Sequence, residues 1–182
     1  MASLPDYAEL HCLSNFSFLR GASHPEELVA QAVAQGYTAL ALTDECSLAG
    51  IVRAHQAAKK TGLALVVGSE FTLADGTKLV LYATDRATYG DLCQLITRGR
   101  RSARKGSYRL TRDDVAALAP HCLALWVPGA DRNGWPAHVR WIRDVFADRA
   151  WIGVERFLMQ LIGLPNVRLA AIFPRDLNRL AP

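Results

Sequence analysis

Two short apolar runs that each stop on an acidic residue, with a helical pattern between them, constrain this chain more than any other feature. Residues 38–70 read TALALTDECSLAGIVRAHQAAKKTGLALVVGSE. The run from Ala39 to Leu42 breaks at Thr43, Asp44 and Glu45, and the run from Leu63 to Val67 breaks at Gly68, Ser69 and Glu70. A strand, a helix and a second strand of this kind form a βαβ unit with parallel strands. Such sheets display their chemistry beyond the carboxyl ends of the strands, so Asp44 and Glu70 are expected on one rim.

The flanking sequence extends the same alternation. Tyr7 to His11 reads as a first strand, followed by a loop in which Phe16, Phe18 and Leu19 are expected to act as apolar anchors. Ser23 stands three residues before Glu26, a capping-box spacing, with Pro25 in the first turn of a helix that Gly36 ends. After Asp44, Ser47 is the expected cap of a second helix whose buried face carries Leu48, Ile51, Val52 and Ala58, ending at Lys59, Lys60 and Gly62. Asp75-Gly76 between residues 71–73 and 78–82 signals a hairpin, which makes the sheet mixed. A third helix is expected over 87–97, a short one capped by Thr111 and Asp114, a strand over 122–127, a helix over 136–146 and a strand over 151–155. From Arg156 the pattern of strand, polar strand end and capped helix stops, although Leu158 to Ile162 suits a helical turn. The expectation is one α/β domain over 1–155, with residues 156–182 a divergent or truncated tail.

Composition narrows the function classes. With 182 residues, 51% of them hydrophobic, the chain supports one core. No apolar run approaches the ~18 residues of a membrane span. The N-terminus has no signal-peptide pattern, and a cytoplasmic protein is expected. Cys12, Cys46, Cys93 and Cys122 form no CxxC pair and read as buried free thiols rather than a zinc or disulfide framework. Seven basic residues fall between Arg98 and Arg112 without an acid, leaving 14 basic against 17 acidic residues elsewhere. Basic character is therefore local, which suits a polyanion contact.

Two groups of residues have chemical potential. His11, Asp44, Glu70 and Glu155 fall at strand ends, and an imidazole with carboxylates suits Mn²⁺, Mg²⁺ or Zn²⁺, which activate water against a phosphodiester. The alternative is that these polar groups cap helices and loops, Asp44 above all. His55 reads as a half-buried helix residue or a ligand. Arg98, Arg100, Arg101, Arg104 and Lys105, with Arg109 and Tyr108 nearby, form either a nucleic-acid contact kept flexible by Gly99 and Gly106 or a loop that packs on a neighbouring domain.

The segments YAELHCLSNFSFLRGASHPEELV, ALALTDECSLAGIVRAHQAAKKTGLALVVGSEF and LVLYATDRATYGDLCQLITRGRRSARKGSYRL occur in that order and resemble the N-terminal PHP domain of bacterial C-family DNA polymerases, most closely the error-prone branch of damage tolerance. The resemblance runs from about Tyr7 to Glu155 and implies a distorted (β/α)7 barrel, incomplete here at its C-terminus. Metal-binding members open with His-x-His, follow with Thr-Asp-His and supply a Glu after the next strand. The present chain has His11-Cys12-Leu13, Thr43-Asp44-Glu45 and Glu70. Leucine cannot ligate a metal, so the resemblance implies vestigial ligands at His11, Asp44 and Glu70, with no metal cofactor and no phosphoesterase activity. It also implies partnership with the remainder of a polymerase or other replication and repair proteins, with DNA reached through the basic stretch. No segment resembles a polymerase palm.

Overall fold

A computed structural model describes residues 7–130, 132–157 and 168–172. Among the described residues seven strands follow one another in space as in sequence: β1 (Ala8–Cys12), β2 (Ala39–Leu42), β3 (Ala64–Thr72), β4 (Lys78–Ala83), β5 (Leu123–Val127), β6 (Ala150–Phe157) and β7 (Arg168–Ile172). The pairs β1/β2, β2/β3 and β5/β6 are parallel, whereas β3/β4, β4/β5 and β6/β7 are antiparallel. The mixed sheet expected from the Asp75-Gly76 signal is present, and Gly76 adopts the positive φ of 83° that the turn requires. The sheet curls until parts of β7 lie within 8 Å of β1, Cα to Cα, with no ladder between them among the described residues. This is an incomplete barrel.

Period-two patterning explains why both faces of the sheet are covered. In β4, Leu79 and Leu81 join one core cluster while Val80 and Tyr82 join another. In β5, Ala124 and Trp126 alternate with Leu125 and Val127 in the same way. The outer face is buried under α3 (Arg86–Arg101), α4 (Arg112–Leu118) and α5 (Trp135–Phe146), whose Leu92, Leu95, Val115, Val139, Ile142 and Phe146 are buried. α1 (Pro25–Ala34) and α2 (Ile51–Thr61) cover the β1–β3 side through Val29, Ala32, Ile51, Ala54 and Ala58. Across the inside of the curl the Tyr82 hydroxyl donates to the Leu10 carbonyl at 2.7 Å. Gly68 leaves room for that ring, because a Cβ there would lie 2.8 Å from Tyr82 Cδ1.

Several local expectations need correction. The N-cap of α1 is His24, whose N–H donates to Glu27 at 2.8 Å, so the capping box is one residue later than Ser23 and Glu26. α2 starts from Gly50, not Ser47, because Ser47 instead accepts from the Ala49 N–H and receives its own anchor from Ser69. Val52, expected in the buried face, is 64% exposed, and His55 is exposed rather than half-buried. The cap of α4 is as expected, with Thr111 accepting from the Asp114 N–H and Asp114 from the Thr111 N–H. The strand series continues past 155: β6 extends to Phe157 and β7 pairs with it, in the stretch where the capped repeat was absent. Glu155 stands opposite Ala170 in that ladder. The helical turn expected over 158–162 lies outside the described residues.

Candidate functional site: an ion-paired strand rim

The residues that follow β1 are organised by a period of three. The Ser17 N–H donates to the Ser14 carbonyl and the Arg20 N–H to the Ser17 carbonyl, both at 2.9 Å. Consecutive bonds of this i to i+3 kind stack side chains 14, 17 and 20 on one face. That face turns inward. Phe16, Phe18 and Leu19 consequently face out, with Phe18 84% and Leu19 89% exposed, so they are not the loop's anchors. Gly21 closes the turn where its backbone crosses Ser14, and a Cβ there would sit 2.1 Å from the Ser14 oxygen.

Asp44 is buried at the end of β2 and is fully engaged by this loop. Its Oδ1 accepts from the Ser14 N–H at 2.8 Å and the Ser17 hydroxyl at 2.7 Å, and its Oδ2 accepts from the Ser14 hydroxyl at 2.7 Å. Asp44 thus holds the loop rather than capping α2. Glu45, the next residue, bridges across to Glu70 of β3 as an isolated parallel pair. The Cys46 N–H donates to the Glu70 carbonyl at 2.8 Å.

Glu70 is fully buried and surrounded by nitrogen. His11 Nε2 lies 2.7 Å from its Oε2, Arg20 donates through both terminal nitrogens at 2.5 Å to Oε1 and 3.1 Å to Oε2, and Lys78 Nζ stands 3.9 Å away. Burial alone pushes this carboxyl up, but the hydrogen bonds of His11 and Arg20 and the charges of His11 and Lys78 prevail, holding it down at about 2. The same Arg20 nitrogen donates to Glu45 Oε2 at 2.7 Å, and the Tyr108 hydroxyl donates to Glu45 Oε1 at 3.0 Å. Hydrogen bonding to Glu70 raises the Arg20 pKa further above its ordinary value, so the guanidinium stays charged. The Cys46 thiol beside this cluster is pushed up to about 11 by burial and is not a nucleophile at neutral pH. All four cysteines are free, Cys46 and Cys122 buried, Cys12 and Cys93 half-buried.

The structure therefore brings His11 and Glu70 into contact and places Asp44 on the same rim, but Asp44 faces the serines and Glu70 faces a guanidinium. These residues do not fit a divalent ion. The Asp44 oxygens are occupied by three donors, and the permanent cation of Arg20 stands against Glu70. Sequence reasoning missed Arg20, which is 50 residues from Glu70, although the Ser14, Ser17, Arg20 spacing was a usable signal.

The basic stretch is not one flexible loop. Arg98, Arg100 and Arg101 lie on the last turn of α3, and Gly99 is buried there because its bare Cα lets the helix rest on Leu110. Arg100 donates to the carbonyls of Glu45 at 3.3 Å and Cys46 at 3.1 Å, and its guanidinium lies 5.5 Å from the Tyr108 ring centre. Arg98 pairs with Asp114 at 3.0 Å. Arg101, Arg104 and Lys105 are exposed. A cleft of about 980 Å³ between α3 and α4 is lined by Arg98, Arg101, Asp113 and Asp114, away from the rim.

Comparison with known proteins fits this fold. The PHP domain family model matches residues 9–159. The chain belongs to the PHP domain family. It is 61% identical over 158 residues to an error-prone DNA polymerase of Dechloromonas aromatica, covering 84% of this chain and 15% of that protein. It is 57% identical over 173 residues to an error-prone DNA polymerase of Methylococcus capsulatus, covering 93% and 16%. The chain thus spans about one sixth or less of the length of these relatives. Among solved structures, a protein assigned as a metal-dependent phosphoesterase from Bifidobacterium adolescentis superposes with a TM-score of 0.57 at 15% identity, over 71% of this chain and 69% of that one. An amidohydrolase from Chromobacterium violaceum, with bound sulfate and no metal, gives 0.56 at 18% identity over 80% and 75%. Both likenesses concern the fold.

Proposed function

We propose that this PHP domain is the N-terminal structural module of an error-prone DNA polymerase of replication and damage tolerance, and that it hydrolyses no phosphoester. The observation that supports this most is the guanidinium of Arg20 against Glu45 and Glu70, where a phosphoesterase would need an ion and its bound water. The identity of 57–61% with proteins named error-prone DNA polymerase supplies the polymerase context. The domain works in the cytoplasm beside DNA, and no helix among the described residues is long and apolar enough to cross a membrane. Primer extension and phosphodiester hydrolysis, each with Mn²⁺ or Mg²⁺, are the tests. Neither activity is expected from the isolated chain. Hydrolysis abolished by His11→Ala would favour the competing reading, a divalent-metal phosphoesterase using His11, Asp44 and Glu70.

Contact with nucleic acid, in this proposal, runs along Arg101, Arg104 and Lys105. Arg98 is shared with Asp114, and Arg100 holds the Glu45–Cys46 backbone, so these two contribute less than their charge suggests. Neutralising about three phosphates gives a log–log salt slope of roughly −2 on single strands. Reversing Arg101 and Arg104 to Glu should abolish that slope. Binding that ignores both salt and the reversal would assign the basic face to domain packing.

A further inference from the structure

We infer that Arg20 is the built-in cation of this domain: its guanidinium takes the place of a metal ion at the strand rim and makes the arrangement of β1, β2 and β3 independent of divalent ions. Three carboxylate oxygens from two residues converge on one side chain, Glu45 Oε2 at 2.7 Å, Glu70 Oε1 at 2.5 Å and Glu70 Oε2 at 3.1 Å. The fork geometry of a guanidinium suits this, since its two terminal nitrogens span both oxygens of Glu70 while one of them also reaches Glu45. His11 Nε2 completes the ring of polar atoms about Glu70 from the β1 side. A fully buried carboxylate needs a cation or a proton, and Arg20 is the charged partner in direct contact with both glutamates.

The loop is shaped to deliver this group. Ser14 and Ser17 are fastened to Asp44, Gly21 passes over Ser14 at a distance that excludes a side chain, and Leu19 adopts a left-handed φ of 62°, a conformation that strains a non-glycine residue. Leu19 is 89% exposed, so its own side chain gains nothing from the strain. What the conformation secures is the position of the next residue, Arg20. The inference concerns the domain alone and holds whether or not the chain belongs to a working polymerase.

The experiment is thermal melting with ion analysis on wild type, Arg20→Met, Arg20→Lys and the double variant Arg20→Met/Glu45→Gln, each with and without Mn²⁺ at ~1 mM. Wild type should retain no Mn²⁺ and its Tm should not move. Arg20→Met should melt about 10 °C lower, as expected when a buried carboxylate loses its partner in a domain of this size. Mn²⁺ should then restore several degrees and remain bound at about one equivalent, through Glu45, Glu70 and His11, and Glu45→Gln should remove the rescue. Arg20→Lys, which keeps the charge, should lose less stability and remain indifferent to Mn²⁺. Wild type that takes up stoichiometric Mn²⁺ and melts higher with it would overturn the inference. So would Arg20→Met that melts like wild type, or Arg20→Lys as unstable as Arg20→Met, because charge would then not be what the rim requires.

Discussion

Glu70→Gln, followed as a function of pH, isolates the energetic role of the rim. His11, Arg20 and Lys78 outweigh the burial that pushes the folded carboxyl up and hold it down at about 2, against 4.5 for an ordinary glutamate. That difference corresponds to about 3.4 kcal/mol favouring the folded state when Glu70 is ionised. Arg20 is 30% exposed, so solvent screening trims this to about 2–3 kcal/mol. The depressed pKa fixes the sign: the contribution is complete above about pH 4.5 and is lost as pH falls toward 2. Linkage leaves about 60% of it at pH 3.5 and about a quarter at pH 2.5. Glutamine preserves the shape and cannot ionise, so the stability gap between wild type and variant should follow this curve, nearly full at pH 7 and 5 and shrinking below. Urea unfolding at pH 7, 5, 3.5 and 2.5, with equal m-values required in each pair, measures it. A gap that stays constant from pH 7 to 2.5 would refute the reasoning, since the loss would then come from the amide's packing rather than from charge.

Four substitutions test the packing of the rest of the domain. Gly21→Ala places a Cβ 2.1 Å from the Ser14 oxygen, so denaturant unfolding should show a loss at or above the ~3 kcal/mol upper range of ordinary overpacking. Within α3, Gly90→Ala meets nothing within 4 Å and should stabilise by about 0.5–1 kcal/mol, whereas Gly99→Val drives methyl groups into Leu110 and should cost about 2 kcal/mol in the same assay. Phe146→Ala empties a fully buried site between α5 and the sheet and should cost about 3–5 kcal/mol, read as a fall in Tm with an unchanged far-ultraviolet spectrum at 20–25 °C.

The order of elements was legible because short-range chemistry writes it directly. Asp75-Gly76 demands a hairpin, Thr111 with Asp114 demands a helix start, and the alternation of Leu79 and Leu81 with Val80 and Tyr82 marks a strand buried on both faces. The start of α2 was not legible. Gly50 precedes α2 without any side-chain cap, so the hydroxyl of Ser47 was given a role that the backbone did not need. β7 was missed for a related reason: RLAAI lacks both the polar strand end and the capped helix on which the other strands were recognised.

At the rim the sequence shows the carboxylates but not the partners they meet. Asp44 emerges just past the end of β2 and Glu70 lies inside β3, which runs on to Thr72 rather than stopping at Val67, but what they meet depends on a loop whose direction is set by Ser14, Ser17 and Gly21. The glycine at 99 misled in the opposite sense, since a residue that permits flexibility in isolation here permits close packing on Leu110. That packing matters for the site. It fixes the end of α3, from which Arg100 reaches the carbonyls of Glu45 and Cys46, while Tyr108, just beyond, donates to the Glu45 carboxylate. Glu45 is therefore held by Arg20 from the β1 loop and by Tyr108 from the basic segment, and a shift in either is transmitted to the other through one side chain. The basic face and the acidic rim, separate features in the sequence, are joined at Glu45. A ligand that displaced the α3 terminus would act first on the residue that shares Arg20 with Glu70.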